Sequence, residues 1–210
     1  MSDFVFPAPS SAPAAPFALS SRDVRLTHAE LARAVEAVAE GEHAMVDGVL
    51  TPYHLVLAWS RTSLSSQGDS AGTLLVAARA ADLDEVAAGA LAVVQAGGRV
   101  HCAPSLRPGD VLADLVQVQA TELVADASSL RLLRRALEAE LVAGPLSVLA
   151  VFEGLQRADG HTRQERRTLL PALYSWLGGG LLAIHCVGTP LDPETATFFS
   201  RAGLFVRHGF

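Results

Sequence analysis

The sequence predicts an α/β domain, a mostly parallel sheet with helices on both faces. Short apolar runs alternate with amphipathic segments at least four times along the chain, and the connections between them are short and contain Gly. Half of the 210 residues are apolar, enough to bury a sizeable core. The amphipathic segments also open on capping residues and close on Gly, as helices do.

Residues 1–20, rich in Pro, Ala and Ser, read as a flexible tail, and residues 21–210 as one α/β domain. Thr27-x-x-Glu30 is a capping box opening a helix that places Leu31, Val35 and Val38 on one face and stops at Gly41. The apolar run 54–59 predicts a buried strand, 60–72 a Ser- and Gly-rich loop, and 73–78 a second apolar strand. Asp82-x-x-Glu85 then caps a helix carrying Leu83, Val86, Leu91 and Val94, ended by Gly97-Gly98. A strand over 99–103 follows, then a helix capped by Asp110 with Val111, Leu112, Leu115 and Val118, and a strand over 122–125. Leu130, Leu133, Leu137 and Leu141 recur at helical spacing. The apolar stretch 146–155 suits a helix, with a strand as the alternative, and 156–167 is charged and solvated. A helix through Leu169, Leu170 and Tyr174 ends at Gly178–Gly180, before a central strand over 181–187. Asp192 as N-cap, Pro193 in the first turn, Phe198 and Phe199 on the core face and Gly203 as the stop define the last helix, and a strand over 204–206 closes the series. Ligands of such sheets sit beyond the carboxyl ends of strands, here 102–104, 126–128, 186–190 and the C-terminus.

Composition excludes several function classes. No apolar run reaches the roughly 18–20 residues of a membrane-spanning helix. With 16 basic and 22 acidic side chains, the net charge of −6 gives no footprint for nucleic acid. Two cysteines make neither a disulfide framework nor a four-ligand zinc site, and read as reduced thiols of a cytoplasmic protein; no secretory signal pattern opens the chain. All 16 basic residues are Arg. Without Lys this chain has no Schiff-base nucleophile, no Walker lysine and no lysine to orient a carboxylate on ATP.

One family resemblance stands out. Residues 177–210 carry a Gly turn, the buried strand Leu-Leu-Ala-Ile-His-Cys, Val187-Gly-Thr-Pro-Leu191, a helix with Phe198-Phe199, and a strand into Gly209-Phe210. In order and spacing this resembles a segment of the AMP-forming long-chain acyl-CoA synthetases, which reads Gly-Gly-Ala-Pro-Leu, an acidic helix bearing paired Phe, then Gly-Tyr-Gly-x-Thr-Glu. Val24-Arg-Leu-Thr-His-Ala-Glu-Leu31 is similar to the segment after that family's phosphate-binding loop, and Gly97-Gly-Arg-Val-His-Cys-Ala-Pro-Ser105 to the strand before its acyl-channel helix. With gaps, the resemblance covers residues 20–210.

The departures fall on the chemistry. Where the family has a Ser/Thr/Gly-rich loop ending in Lys, this chain has Phe17-Ala-Leu-Ser-Ser-Arg-Asp-Val24, without Gly or Lys. Phosphates need closely approaching backbone amides and a cation. Asp82 replaces the family's His, while Glu85 fits the acidic position that follows; Gly188, Thr189 and Pro190 keep only part of the nucleotide pocket; and Gly209-Phe210 fall where the family's next motif begins. The resemblance therefore implies Glu85, Gly188, Thr189, Pro190, Gly209 and Phe210 as substrate-binding positions, no catalytic residue, and loss of the family's ATP and Mg. The expected protein is non-catalytic and binds a fatty acyl group, an acyl-CoA or a protein partner. The alternatives are half of a split AMP-forming ligase completed by a second chain, and a structural homo-oligomer whose sheet edges pair.

Other constellations read as structure. Seven His show no His-x-x-x-His spacing, and His101–Cys102 and His185–Cys186 are strand neighbours that point to opposite faces. Were the two strands adjacent, a His or Cys pair could share a metal or redox pocket. There is no Gly-x-Ser-x-Gly elbow; Ser128 and Ser129 read as helix caps, and Arg131, Arg134 and Arg135 as a solvated face. Trp59 and Trp176 read as core or pocket wall.

Overall fold

A computed structural model describes residues 17–39, 48–60, 72–155 and 161–209. A strand pair, β1 (Phe17–Ser20) and β2 (Arg25–Thr27), leads into α1 (His28–Ala39) and α2 (Pro52–Ser60). Next come β3 (Thr73–Ala77), a 3-10 turn (Ala80–Asp82), α3 (Leu83–Gln95), β4 (Arg99–Cys102), α4 (Pro108–Val118), β5 (Glu122–Asp126) and α5 (Ala127–Ala143). The chain continues through α6 (Leu146–Gly154), α7 (Arg163–Leu169), α8 (Pro171–Trp176), β6 (Ala183–Val187), α9 (Pro193–Arg201) and β7 (Phe205–His208).

The strands form one sheet in the order β2-β1-β4-β3-β5-β6-β7, antiparallel between β1 and β2 and parallel elsewhere. The α/β expectation therefore holds. Counted from β3, the parallel strands run 2-1-3-4-5, the doubly wound order of flavodoxin-like sheets. Inner strands are buried on both faces: Leu74 and Val76 of β3 join the core under α1, α2 and α3, whereas Leu75 and Ala77 join the core under α4, α5, α6, α8 and α9. That two-sided burial is why β3 and β6, buried at every position, are predominantly apolar rather than alternating.

Local chemistry accounts for the ends of the elements. Thr27 and Glu30 close the expected capping box, with Thr27 N–H donating to Glu30 Oε2 at 2.9 Å and Glu30 N–H to Thr27 Oγ1 at 3.3 Å. Asp192 caps α9, accepting from Thr195 N–H at 2.9 Å. Gly178 is required: its φ is +73°, and a Cβ there would collide with the Leu115 carbonyl, so the turn after α8 presses directly on α4. Gln119, closing α4 at φ 50°, holds a left-handed conformation that costs a non-Gly residue about 1–2 kcal/mol.

Several sequence expectations are overturned. Residues 17–20, assigned to the tail, form β1, because Leu19 and Ser20 add parallel to β4 and bury Ala18 and Leu19; residues 1–16 lie outside the described ones. The run 54–59 is helix α2, since a continuous apolar run carries no period to separate strand from helix. Thr51 N–H donates to His54 Nδ1 at 3.1 Å at its start, and Trp59 Nε1–H ties it to the Ala87 carbonyl at 2.8 Å. Pro108, not Asp110, opens α4. The helix expected through Leu169–Tyr174 is split by Pro171 into α7 and α8. The strand over 181–187 is not central: β6 lies one in from the edge strand β7. The stop at Gly41 and the loop 61–71 lie outside the described residues.

Arg134 is buried rather than solvated. It pairs with Glu194 at 2.9 Å and Glu138 at 3.6 Å, and Arg131 pairs with Asp192 at 2.9 Å, so two guanidinium groups staple α5 to α9. Among the described residues no helix is long and apolar enough to cross a membrane.

Candidate functional site

β3 and β5 are neighbours, yet the chain leaves β3 toward α3 on one face and β5 toward α5 on the other. A crevice must open between their carboxyl ends, the place where doubly wound sheets take ligands. Arg79 and Asp82 enter it from the turn after β3, and Asp126 from the end of β5, with Arg79 Nε 3.8 Å from Asp126 Oδ2. The loop after β6 closes in from the side: Gly188 has φ +72°, and a Cβ on it would come within 2.9 Å of Asp82 Oδ1.

The sequence-derived positions meet here in part. Glu85 Oε2 accepts the Gly188 N–H at 2.8 Å, and a Cβ on Gly209 would lie 3.2 Å from Glu85 Oε1, so the carboxylate is bonded to the loop after β6 and lies beside the end of β7. Thr189 and Pro190 are exposed on the rim, the Thr189 carbonyl accepting from Cys186 Sγ at 3.5 Å. Phe210 lies outside the described residues. Neither Asp82 nor Glu85 caps α3 as the sequence suggested: Asp82 makes no side-chain cap bond, and Glu85 is committed to Gly188.

The crevice is acidic. Burial, then the Asp126 and Glu85 charges, hold the Asp82 carboxyl above its ordinary range. Burial also pushes Asp126 upward, but hydrogen bonds from Ser128 and Ser129, with the Arg79 charge, outweigh it and leave that carboxyl below its usual value. Asp126 is thus the N-cap of α5, and Ser128 and Ser129 are its donors rather than caps themselves. Cys186 is driven up to about 11 by burial, then by Asp126 and Glu85, and Cys102 is also driven up by burial, so both thiols stay protonated near neutrality.

The two His-Cys strands are separated by β3 and β5, which removes the shared-pocket reading. His185 Nε2 pairs with Glu122 at 2.8 Å on one face, while Cys186 joins the core on the other. Among the described residues no three His, Cys, Asp or Glu side chains converge to hold a metal ion. An apolar cavity under Leu106 and Pro108 measures about 10 Å³, room for no more than a single water.

The sequence reading passed over a larger cavity of about 300 Å³ toward the opposite end of the sheet, where α4 overhangs β4 and β1. Arg22, Arg25, Arg99, His101 and Asp114 line it, with Ser20, Ser21, Thr73, Gln117 and Gln119 between them. His101 Nδ1 lies 2.9 Å from Ser20 Oγ, and burial, then the Arg25 charge, depress its pKa, so it is neutral at pH 7. A signal for Asp114 was present in the sequence: Val111, Asp114, Leu115 and Val118 follow i, i+3, i+4, i+7, which places a carboxylate within an apolar stripe.

No protein-family model matches the chain, and no curated protein does.

Proposed function

We propose that this chain is a non-catalytic relative of the acyl-CoA synthetases that acts by binding, without forming an adenylate. The single observation that carries the reading is the Glu85 carboxylate on the Gly188 amide at 2.8 Å. In this sheet a phosphate would be gripped by backbone donors at the crevice. At Gly188 that donor is occupied by a carboxylate, with Asp82 and Asp126 beside it. Displacing Glu85 costs a charge-assisted hydrogen bond of about 1.5–3 kcal/mol before the repulsion between a triphosphate and the neighbouring acids is met. The chain also supplies no lysine to offset that charge.

Of the ligands the resemblance implies, a protein partner is the better fit. The apolar cavity described above is too small for an acyl chain. By contrast, β7 is an edge strand whose Phe205 is 68% exposed, and among the described residues no strand pairs with its outer side.

Fatty-acid-dependent exchange of pyrophosphate into ATP, run with Mg and with short, medium and long acyl chains, tests the reading. No exchange above the protein-free background is expected. Exchange by the chain alone overturns the proposal; exchange only after a second protein is added replaces it with a split ligase. Saturable binding of a fluorescent fatty acid would replace the protein partner with a lipid ligand.

A further inference from the structure

Asp114 is only 5% exposed, its Oδ2 is shut off from solvent with no hydrogen-bond partner, and the residue lines a 300 Å³ cavity. A buried polar atom left unpaired is a cost that folding alone does not explain. The groups around it supply a reason. Arg22, Arg25 and Arg99 line the same space against the one carboxyl, so basic side chains outnumber acidic ones in the lining, which suits an anion such as a phosphate monoester. Val118 is the one apolar side chain among the lining residues, which does not suit an acyl group, and the one ring there, the His101 imidazole, is held on Ser20 Oγ. Hydroxyls and amides from Ser20, Ser21, Thr73, Gln117 and Gln119 suit a polyhydroxylated body. The arginines around it disfavour an ammonium there, which leaves a hydroxyl as the donor that suits the Asp114 carboxyl.

We propose that this cavity binds a small sugar phosphate, its phosphate on Arg22 and Arg99 and one of its hydroxyls donating to the Asp114 carboxyl. The inference does not rest on the acyl-CoA synthetase reading, since the cavity lies toward the other end of the sheet from the crevice.

Isothermal titration of the full chain with glycerol 3-phosphate, ribose 5-phosphate and glucose 6-phosphate tests it, with glucose and inorganic phosphate as controls. Saturable binding of at least one sugar phosphate is expected, with no binding of glucose and weaker binding of inorganic phosphate. Arg99→Gln should weaken the sugar phosphate by about tenfold or more. Asp114→Asn should weaken it by about tenfold without weakening inorganic phosphate, which loses a neighbouring negative charge rather than a contact. Arg22→Gln, at an exposed turn residue, gives a second arginine probe should Arg99→Gln fail to fold by circular dichroism. Overturning results are no saturable binding of any of the three, inorganic phosphate binding as tightly as the sugar phosphates, or binding indifferent to the arginine substitutions.

Discussion

Replacing Asp114 with Asn should stabilise the protein at neutral and higher pH but not in acid. The carboxyl is buried on α4, one of its oxygens lacks a partner, and Asp110 adds like charge while Arg22 offsets part of the cost. An unsatisfied buried group costs about 1–3 kcal/mol. With Arg22 cancelling some of this, the isosteric amide should gain about 1 kcal/mol at about pH 7.5, which in a chain of this size raises Tm by roughly 2–4 °C. The sign follows from the direction of the shift. The pKa of Asp114 is raised in the folded protein, so the stability linked to its neutral form is present below the unfolded pKa and is lost as pH rises through the folded one. The gap between variant and wild type should therefore be near zero below about pH 4 and open as pH rises. Thermal melts of both proteins across this range measure it. A less stable variant at neutral pH, or a gap that does not change with pH, would refute the reasoning; the same substitution weakens sugar-phosphate binding, so stability and binding should move in opposite directions.

Other substitutions test the packing. Asp126→Ala removes the N-cap of α5 and the acceptor for Ser128 and Ser129 N–H, and should cost about 0.5–2 kcal/mol by urea melts at neutral pH. Because the Asp126 pKa is depressed, that difference should shrink as pH falls through its folded pKa. Phe199→Ala empties a fully buried position between α9 and the sheet and should cost about 3–5 kcal/mol, read as a lower urea midpoint with an unchanged slope. Gly178→Ala forces a side chain against the Leu115 carbonyl at positive φ and should cost about 2–4 kcal/mol; an unchanged Tm would show that the turn after α8 does not press on α4.

Much of the architecture was legible because caps and stops are local. Thr27 with Glu30, Asp192 with Pro193, and Gly203 each fix an element end within four residues, and the structure keeps all three. The misread elements depend on distant partners. Helix α2 is apolar on nearly every side because it packs between α1 and α3, so its run of residues carried no period. β1 is too short to signal itself and exists because β4 offers an edge. Of the candidate site, Glu85, Gly188 and Gly209 come together across a long sequence separation, which only the resemblance had linked. That Glu85 meets the Gly188 amide could not be read from either segment, since a carboxylate three residues after Asp82 looks like a capping box. The Asp114 cavity escaped for the opposite reason: the irregularity was visible in the helical stripe, but Ser20, Arg22 and Arg99 lie on segments whose neighbours only the sheet order reveals.

The most direct measurement follows the backbone amides of Gly188 and Gly209 by NMR while Mg·ATP is titrated into the full chain. With Glu85 already on the Gly188 N–H, both resonances should stay in place up to millimolar nucleotide, at about 1 mM and beyond. A saturable shift of the Gly188 amide would contradict a crevice closed to phosphate.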